Sequence, residues 1–377
     1  MKKYTHRTWL SVLSIALVCV LLFGLAACGS KQTTGQTTTA PAADGATAEE
    51  TKNAPAAGSY GKIAVLRNMQ NSDHTAQFFA GAVAEGEALG YTVDTYMSDQ
   101  DDVKMQDLMA QALEKDYDIW IVSHANEGYQ YDMVSKAVEK GIKVVCFDGG
   151  GEHVPGVTYT SQEDTNLAAM SLDGMIEKLE SVGAKQPIKF AEINILGLIV
   201  PFDTRHSVIE EYEKAGKLDS EIISPNLAGD TYSQIYTAVT NFLNNNPGNV
   251  GIWAASSGFL DGAVDAITDA GRDDVVITAI DISNTELARM VATPAYYCCA
   301  AVDPYVIGMV DVRLGVLKTL GMETPEVYAF PAVNIYGKDI TDSDSMATLG
   351  DKFEDFGWSE AFNTEEIQAR RTEVVGS

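Results

Sequence analysis

Between residues 60 and 330, short apolar runs alternate with stretches of helical spacing, and this rhythm restricts the possible folds more than any other feature of the chain. Strands are expected over 63–66, 91–96, 119–122 and 143–147, with helices over 78–89, 103–113 and 133–140 between them. Gly90 and Gly141 follow two of these helices as stop signals. After a break around 148–162 the alternation resumes. Helices over 166–179, 208–214, 235–244, 260–270, 285–291 and 306–320 lead to strands over 188–193, 221–223, 251–254, 275–280, 297–302 and 327–330. The strands are nearly continuous in apolar residues, as strands buried on both faces are, so each run reads as a parallel sheet with helices on both sides. The expected fold is α/β, with two doubly wound parallel-sheet lobes of similar size.

In an open sheet of this kind ligands sit beyond the carboxyl ends of the strands. The candidates are therefore the residues that follow each strand: 68–74, 123–126, Asp148, 196–205, Ser256 and Ser257, Asp281, and Asp303. They fall in both halves, which implies a cleft between two lobes.

The amino terminus points out of the cytoplasm. Lys2, Lys3 and Arg7 precede an apolar run from 9 to 25, the layout of an export signal. Leu25-Ala26-Ala27-Cys28 resembles the lipobox of bacterial lipoproteins, in which the cysteine is acylated before cleavage. Residues 1–27 are then the signal peptide, and Cys28 is the lipidated first residue of the mature chain. An uncleaved membrane helix is the other reading of the run, which is about long enough; Gly24 and the small residues after it favour cleavage. Residues 28–59 are mostly Gly, Ser, Thr, Gln, Ala and Pro, with almost no large apolar side chain. Such a segment cannot bury enough surface to offset its chain entropy, and it reads as a disordered tether with a typical reach of roughly 30 Å.

Removing 27 of the 377 residues leaves 350, which is long for one core and suits two domains. No second apolar segment is long enough to span a membrane. Loss of the three basic leader residues takes the formal charge from −27 to −30. So acidic a surface excludes nucleic acid as a partner and holds the chain off anionic headgroups. The cysteines after the leader and anchor are Cys146, Cys298 and Cys299. An exported chain permits a disulfide. Neighbours on a strand point to opposite faces, so Cys298 and Cys299 do not suit each other. Buried free thiols, or a bond from Cys146 to one of them, remain.

Several enzyme signatures are missing. There is no G-x-x-x-x-G-K-[ST], no H-E-x-x-H and no G-x-S-x-G. Gly149-Gly150-Gly151 does not make a dinucleotide fingerprint. The five histidines, His6, His74, His124, His153 and His206, have no metal spacing, and Asp339, Asp342 and Asp344 lack the glycine and distal Glu of a calcium loop. No metal, cofactor or catalysis is expected.

Residues 62–90, KIAVLRNMQNSDHTAQFFAGAVAEGEALG, resemble the first strand and helix of type I periplasmic binding proteins of the ribose/galactose class. Gly141 to Asp148 resembles that family's G-I-P-V-V-x-x-D. Asn246-Pro247, Gly271 to Val275, Ala279-Ile280-Asp281 and Asp303-Pro304-Tyr305 with Gly308 match further motifs in order, over roughly 60–335. The resemblance implies two lobes joined by three crossovers at a hinge. The expected division is 60–161 with 303–327 in the first lobe, and 162–302 with 328–377 in the second.

The resemblance also implies ligand contacts: Asp148 and Asp281 as acceptors for sugar hydroxyls, one from each lobe, and Arg205 near the family's ligand-bonding arginine. Helix capping or hinge bonding is the alternative for the carboxylates, and a surface ion pair for Arg205. The family's first-loop aromatics fall at Asp73-adjacent His74 and Thr75, its third aromatic near Asp230, and its Asn-Asp at Ser256-Ser257. His74 and His124 are candidate contacts, with Asn68 and Asp73 on the first loop. Trp253, Tyr232 or Phe202 could restore the stacking on ring faces that sugar sites use, or belong to core or surface. The implied function is a lipid-anchored solute-binding protein of an ABC importer, a monomer that captures a small sugar-like solute by hinge closure and docks on a membrane permease. The alternatives are a sensor that presents the solute to a receptor or kinase, or a binder of a nucleoside or signalling furanose.

Overall fold

A computed structural model describes residues 60–353 and 356–375; the leader, Cys28 and the tether 28–59 lie outside the described residues. The chain opens with β1 (Gly61–Arg67), α1 (Asp73–Ala88), β2 (Tyr91–Met97), α2 (Asp102–Leu113), β3 (Ile119–Ser123), α3 (Glu127–Glu139), β4 (Lys143–Phe147) and β5 (Thr158–Ser161). Each helix starts on a cap that its sequence supplies. Ser72, Asp101 and Asn126 accept from backbone N–H groups two or three residues on. Gly90 and Gly141 then turn the chain with φ of 81° and 89°. The strands are parallel, with Ile63 beside both Val93 and Ile119. Alternate residues of β1 feed opposite cores: Ile63 and Val65 pack towards α1, and Ala64 and Leu66 towards α2 and α3.

The second half repeats the plan with α4 (Asp164–Ser181), β6 (Ile188–Ile193), α5 (Val200–Lys214), β7 (Leu218–Ile223), α6 (Thr231–Asn245), β8 (Val250–Ala254), α7 (Asp261–Asp269), β9 (Val275–Ile280), α8 (Asn284–Ala292) and β10 (Tyr296–Ala301). The rest comprises α9 (Pro304–Thr319), β11 (Val327–Ala329), β12 (Val333–Tyr336), α10 (Met346–Leu349) and α11 (Glu365–Val375). The sheet orders are β11-β5-β4-β3-β1-β2 and β12-β10-β9-β8-β6-β7. In each, the first strand lies between the second and third, so both sheets have their topological switch point beside β1 or β6.

The chain passes between the sheets three times: from β5 to α4, from β10 to α9, which packs on α1, and from β11 to β12. The carboxyl-terminal segment differs from the expected assignment of 328–377 to the second lobe. β11 pairs with β5 in the first sheet. Met346, Leu349 and Phe356 do join the second core, but Ala361 and Ile367 join the first, and α11 lies against α1 and α9. Buried Glu85 of α1 holds this return, accepting from Arg313 Nε at 2.7 Å and Arg371 at 2.5 Å. The second sheet is also not wholly parallel, since β12 runs antiparallel to β10 at its edge. Cys146, Cys298 and Cys299 are buried free thiols in two different sheets.

Candidate functional site

The carboxyl ends of the strands in both sheets line two adjoining cavities. One, of about 250 Å³, is bounded by Arg67, Asp73, His74 and His124 from the first lobe and by Arg205, Ser256 and Asp281 from the second. Gln162, on the first passage between the sheets, completes it. The other, of about 570 Å³, shares His124 and Ile199 with the first and adds Asn68, Asp102 and Asp148. This room suits a small solute rather than a polymer.

Three site residues arrive by one backbone device. His124, Asp148 and Asp281 each directly follow a strand, β3, β4 and β9, and each holds a left-handed backbone with φ of 58°, 46° and 72°. Their N–H groups still extend the sheet, bonding to the carbonyls of Phe147, Thr160 and Ala300 at 2.9, 2.9 and 3.1 Å. The left-handed turn costs a non-glycine residue about 1–3 kcal/mol and is commonest for Asn, Asp and His. Here it turns three side chains into the cleft.

The first-lobe wall is built around Arg67, fully buried at the end of β1. Its guanidinium donates from Nε to Thr75 Oγ1 at 3.3 Å, from one terminal nitrogen to Ser123 Oγ at 2.7 Å, and from the other to His74 Nδ1 at 3.1 Å. It also lies 4.4 Å from the Phe78 ring centroid. Ser123 Oγ is 2.8 Å from His124 Nδ1. His124 Nε2 stands 3.8 Å from Asp148 Oδ2, and Asp148 accepts long bonds of 3.4 Å from Gln162. Burial and the nearby Asp164 push the Asp148 carboxyl well above its usual range. Asn68 faces the second cavity, where it donates to Asp102 Oδ1 at 2.9 Å and accepts from Ser98.

The second-lobe wall is built around Arg205, which is buried rather than at the surface. Its Nε donates to Asp164 Oδ1 at 2.8 Å, and Nη1 reaches the Ala255 carbonyl and, at 3.5 Å, Asp281 Oδ2. Burial raises the Asp281 pKa, but Arg205, with the nearby Ser256 hydroxyl, outweighs it and holds the carboxyl below its usual range. Asp281 Oδ1 is buried and has no hydrogen-bond partner among the described residues. Ser256 sits at the rim of the same cavity.

One expected contact is misplaced. Asp230 caps α6, bonding Ser233 N at 3.1 Å and Ser233 Oγ at 2.6 Å, and lies in a separate surface groove with Glu221 and Gln234. The resemblance alone points to Asp230 as a ligand contact, whereas its geometry is that of a helix cap. Of the three aromatic substitutes, Trp253 is core, donating to Ser171 Oγ, and Tyr232 is exposed beside Asp265. Phe202 does line the first cavity, with Ile199. Arg67, Gln162 and Asp164 were not anticipated. A charged residue closing an otherwise apolar strand was the available signal for Arg67.

The arrangement offers carboxylates, amide and imidazole groups to a hydroxylated solute. Among the described residues no cluster of three His, Cys, Asp or Glu side chains is placed to hold a metal ion. A family model described as "periplasmic binding protein domain" matches residues 63–317. Among solved structures, a sugar ABC transporter protein from Yersinia enterocolitica is similar at 29% identity and a TM-score of 0.74, over 83% of this chain and 95% of that one. The 5-methylthioribose transporter solute-binding protein of Thermotoga lettingae, solved with 5-methylthioribose, is similar at 20% identity and a TM-score of 0.73, over 83% and 99%. A solute-binding protein from Agrobacterium vitis with bound allitol is similar at 16% identity and a TM-score of 0.64, over 78% and 99%. The second and third of these are solute-binding proteins of ABC transporters. With well over half its length matched by the family model and both lobes built to the same plan, the chain belongs to the periplasmic binding protein family.

Proposed function

We propose that the chain is the solute-capturing subunit of an ABC importer, anchored through Cys28 on the outer face of the cytoplasmic membrane. Its two lobes close on one small, uncharged, polyhydroxylated solute, a sugar or sugar-like molecule, and the closed form docks on a permease. The observation that carries this reading is a pair of unsatisfied groups on opposite walls of one cavity. His74 Nε2 on the first lobe and Asp281 Oδ1 on the second are buried and unpartnered among the described residues. Each such group costs about 1–3 kcal/mol. A hydroxyl both accepts and donates, so the hydroxyls of a sugar satisfy groups of either kind. The allitol and 5-methylthioribose bound by two relatives are solutes of this class. A tether of 28–59 keeps the trap near its membrane partner and raises its local concentration.

The test is a melting-temperature screen against sugars, polyols, nucleosides and small furanoses, followed by calorimetry. Sugars or polyols should raise the melting temperature by mass action and bind one per chain. Failure of every sugar and polyol to shift it would sink the solute assignment. Cys28→Ser should abolish lipid labelling and membrane retention; normal labelling would sink the anchor.

A further inference from the structure

We propose that Arg67 is a positioning residue that fixes both cleft histidines, His74 and His124, as neutral imidazoles carrying their proton on Nε2, so that the first-lobe wall offers its solute hydrogen-bond donors. This deepens the solute-binding reading and rests on it for the identity of the cleft.

A guanidinium only donates. Because Arg67 Nη2 lies 3.1 Å from His74 Nδ1, that nitrogen is the acceptor and the ring proton sits on Nε2. Because Arg67 Nη1 donates to Ser123 Oγ, the hydroxyl proton is free to point elsewhere. Among the described residues its one acceptor within reach is His124 Nδ1, at 2.8 Å. His124 therefore also carries its proton on Nε2. One buried cation thus sets two tautomers, the first directly and the second through a serine relay.

Both Nε2–H groups are left for a ligand. His74 Nε2 has no partner. His124 Nε2 is 3.8 Å from Asp148 Oδ2, beyond hydrogen-bond range. A hydroxyl oxygen lying off the line between them can accept from the imidazole and donate to the carboxyl. The charge environment agrees with neutral rings. His74 faces Arg67 and Arg205, with Asp281 and Asp73 opposing; His124 faces Arg67, His74 and Arg205, with Asp148 nearby. Burial, reinforced by Arg67, lowers the His74 pKa to about 4 and puts that of His124 well below its usual value. The wall therefore donates to acceptor oxygens of an uncharged solute, while Asp281 on the second lobe accepts hydrogen bonds from its hydroxyls.

Long-range proton–nitrogen correlation spectra of the ¹⁵N-labelled full chain, with single His→Gln variants for assignment, read the tautomers directly. In the unliganded protein, both rings should be singly protonated at Nε2 from pH 8 to pH 5. Arg67→Met should give mixed tautomers at His74 and His124 while leaving the His206 spectrum unchanged. An Nδ1-protonated or doubly protonated ring at pH 7 in the unaltered protein overturns the proposal, and this holds even if Arg67→Met does not fold. So does an Arg67→Met protein that folds with both tautomers unchanged. Titration with allitol or 5-methylthioribose should slow exchange of the two Nε2 protons without moving them; a proton that moves to Nδ1 counts against the donor wall. If neither solute has any effect and the tautomers are as stated, the positioning role stands, and what fails is the choice of these two solutes as ligands.

Discussion

Asp73, the first residue of α1 in the first lobe, accepts two hydrogen bonds from Asn284 at the start of α8 in the second, one from its backbone N at 2.9 Å and one from Nδ2 at 3.3 Å. The same asparagine accepts from Met346 N at 3.0 Å. One oxygen of an expected ligand residue is thus engaged by the opposite lobe, and a hinge opening that draws α1 away from α8 would break the contact. The bonds are exposed, so together they contribute about 0.5–1 kcal/mol to the closed state. Asn284→Ala should shift the open–closed balance two- to five-fold towards open. Fluorescence energy transfer between dyes on the two lobes checks this, and an unchanged distribution removes the contact as a latch.

The second-lobe wall separates binding from folding. Asp281 touches Arg205 only at 3.5 Å, whereas Asp164 receives two short contacts from the same guanidinium. Asp281→Asn keeps the shape and removes the charge that strengthens hydrogen bonds to sugar hydroxyls. It should weaken solute binding more than ten-fold while unfolding free energy falls by less than about 1.5 kcal/mol. Arg205→Met leaves two partly buried carboxylates without their buried cation and should cost about 3 kcal/mol. Urea unfolding and calorimetry on both variants separate the roles; equal stability losses would contradict the assignment.

Asp311 of α9 gives a pH signature. It is fully buried, accepts from Thr160 Oγ1 at 2.9 Å and leaves its other oxygen unpartnered. Burial raises its pKa to about 8. Between the ordinary carboxylate range and pH 8 the folded state holds a proton that the unfolded state has lost. Its stabilising contribution is therefore complete in acid and is lost as pH rises through 8. Asp311→Asn removes that proton from the balance. The plot of unfolding free energy against pH from 5 to 7.5 should become less negative in slope by up to about 1.4 kcal/mol per pH unit. Parallel plots for the two proteins would show that Asp311 is ionised.

The strands at Lys143–Phe147, Ile188–Ile193 and Val275–Ile280 were legible to the residue, because burial on both faces leaves an unbroken apolar run between turn signals. β5 was not, since its four residues, Thr-Tyr-Thr-Ser, carry no such run. The first two turns of α5 were missed at Val200-Pro201, although proline is compatible with a first helical turn. The return of α11 rests on Glu85 meeting two arginines more than 200 residues away, which no local pattern encodes. The same division holds at the cleft. His124, Asp148 and Asp281 followed from their places after strands, while Arg67 and Asp164 act through side chains that only the tertiary fold brings together.

The motif glycine after Asp303-Pro304-Tyr305 has a packing role that reaches the site. A Cβ at Gly308 would collide with the Phe78 carbonyl oxygen, and one at Gly81 with the Tyr305 carbonyl oxygen, so α1 and α9 meet backbone to backbone through two reciprocal glycines. α1 begins at Asp73 and His74, and α9 directly follows the second passage between the sheets. Forcing the helices apart must therefore either strain the core around Phe78 and Val310 or move the start of α1 away from Arg67. Overpacking of this kind costs about 1–3 kcal/mol. Gly308→Ala should lower the melting temperature and also weaken solute binding, whereas Gly350→Ala, where an added Cβ meets nothing within 4 Å, should leave both nearly unchanged. A Gly308→Ala protein with unaltered stability would mean that the two helices have room to separate.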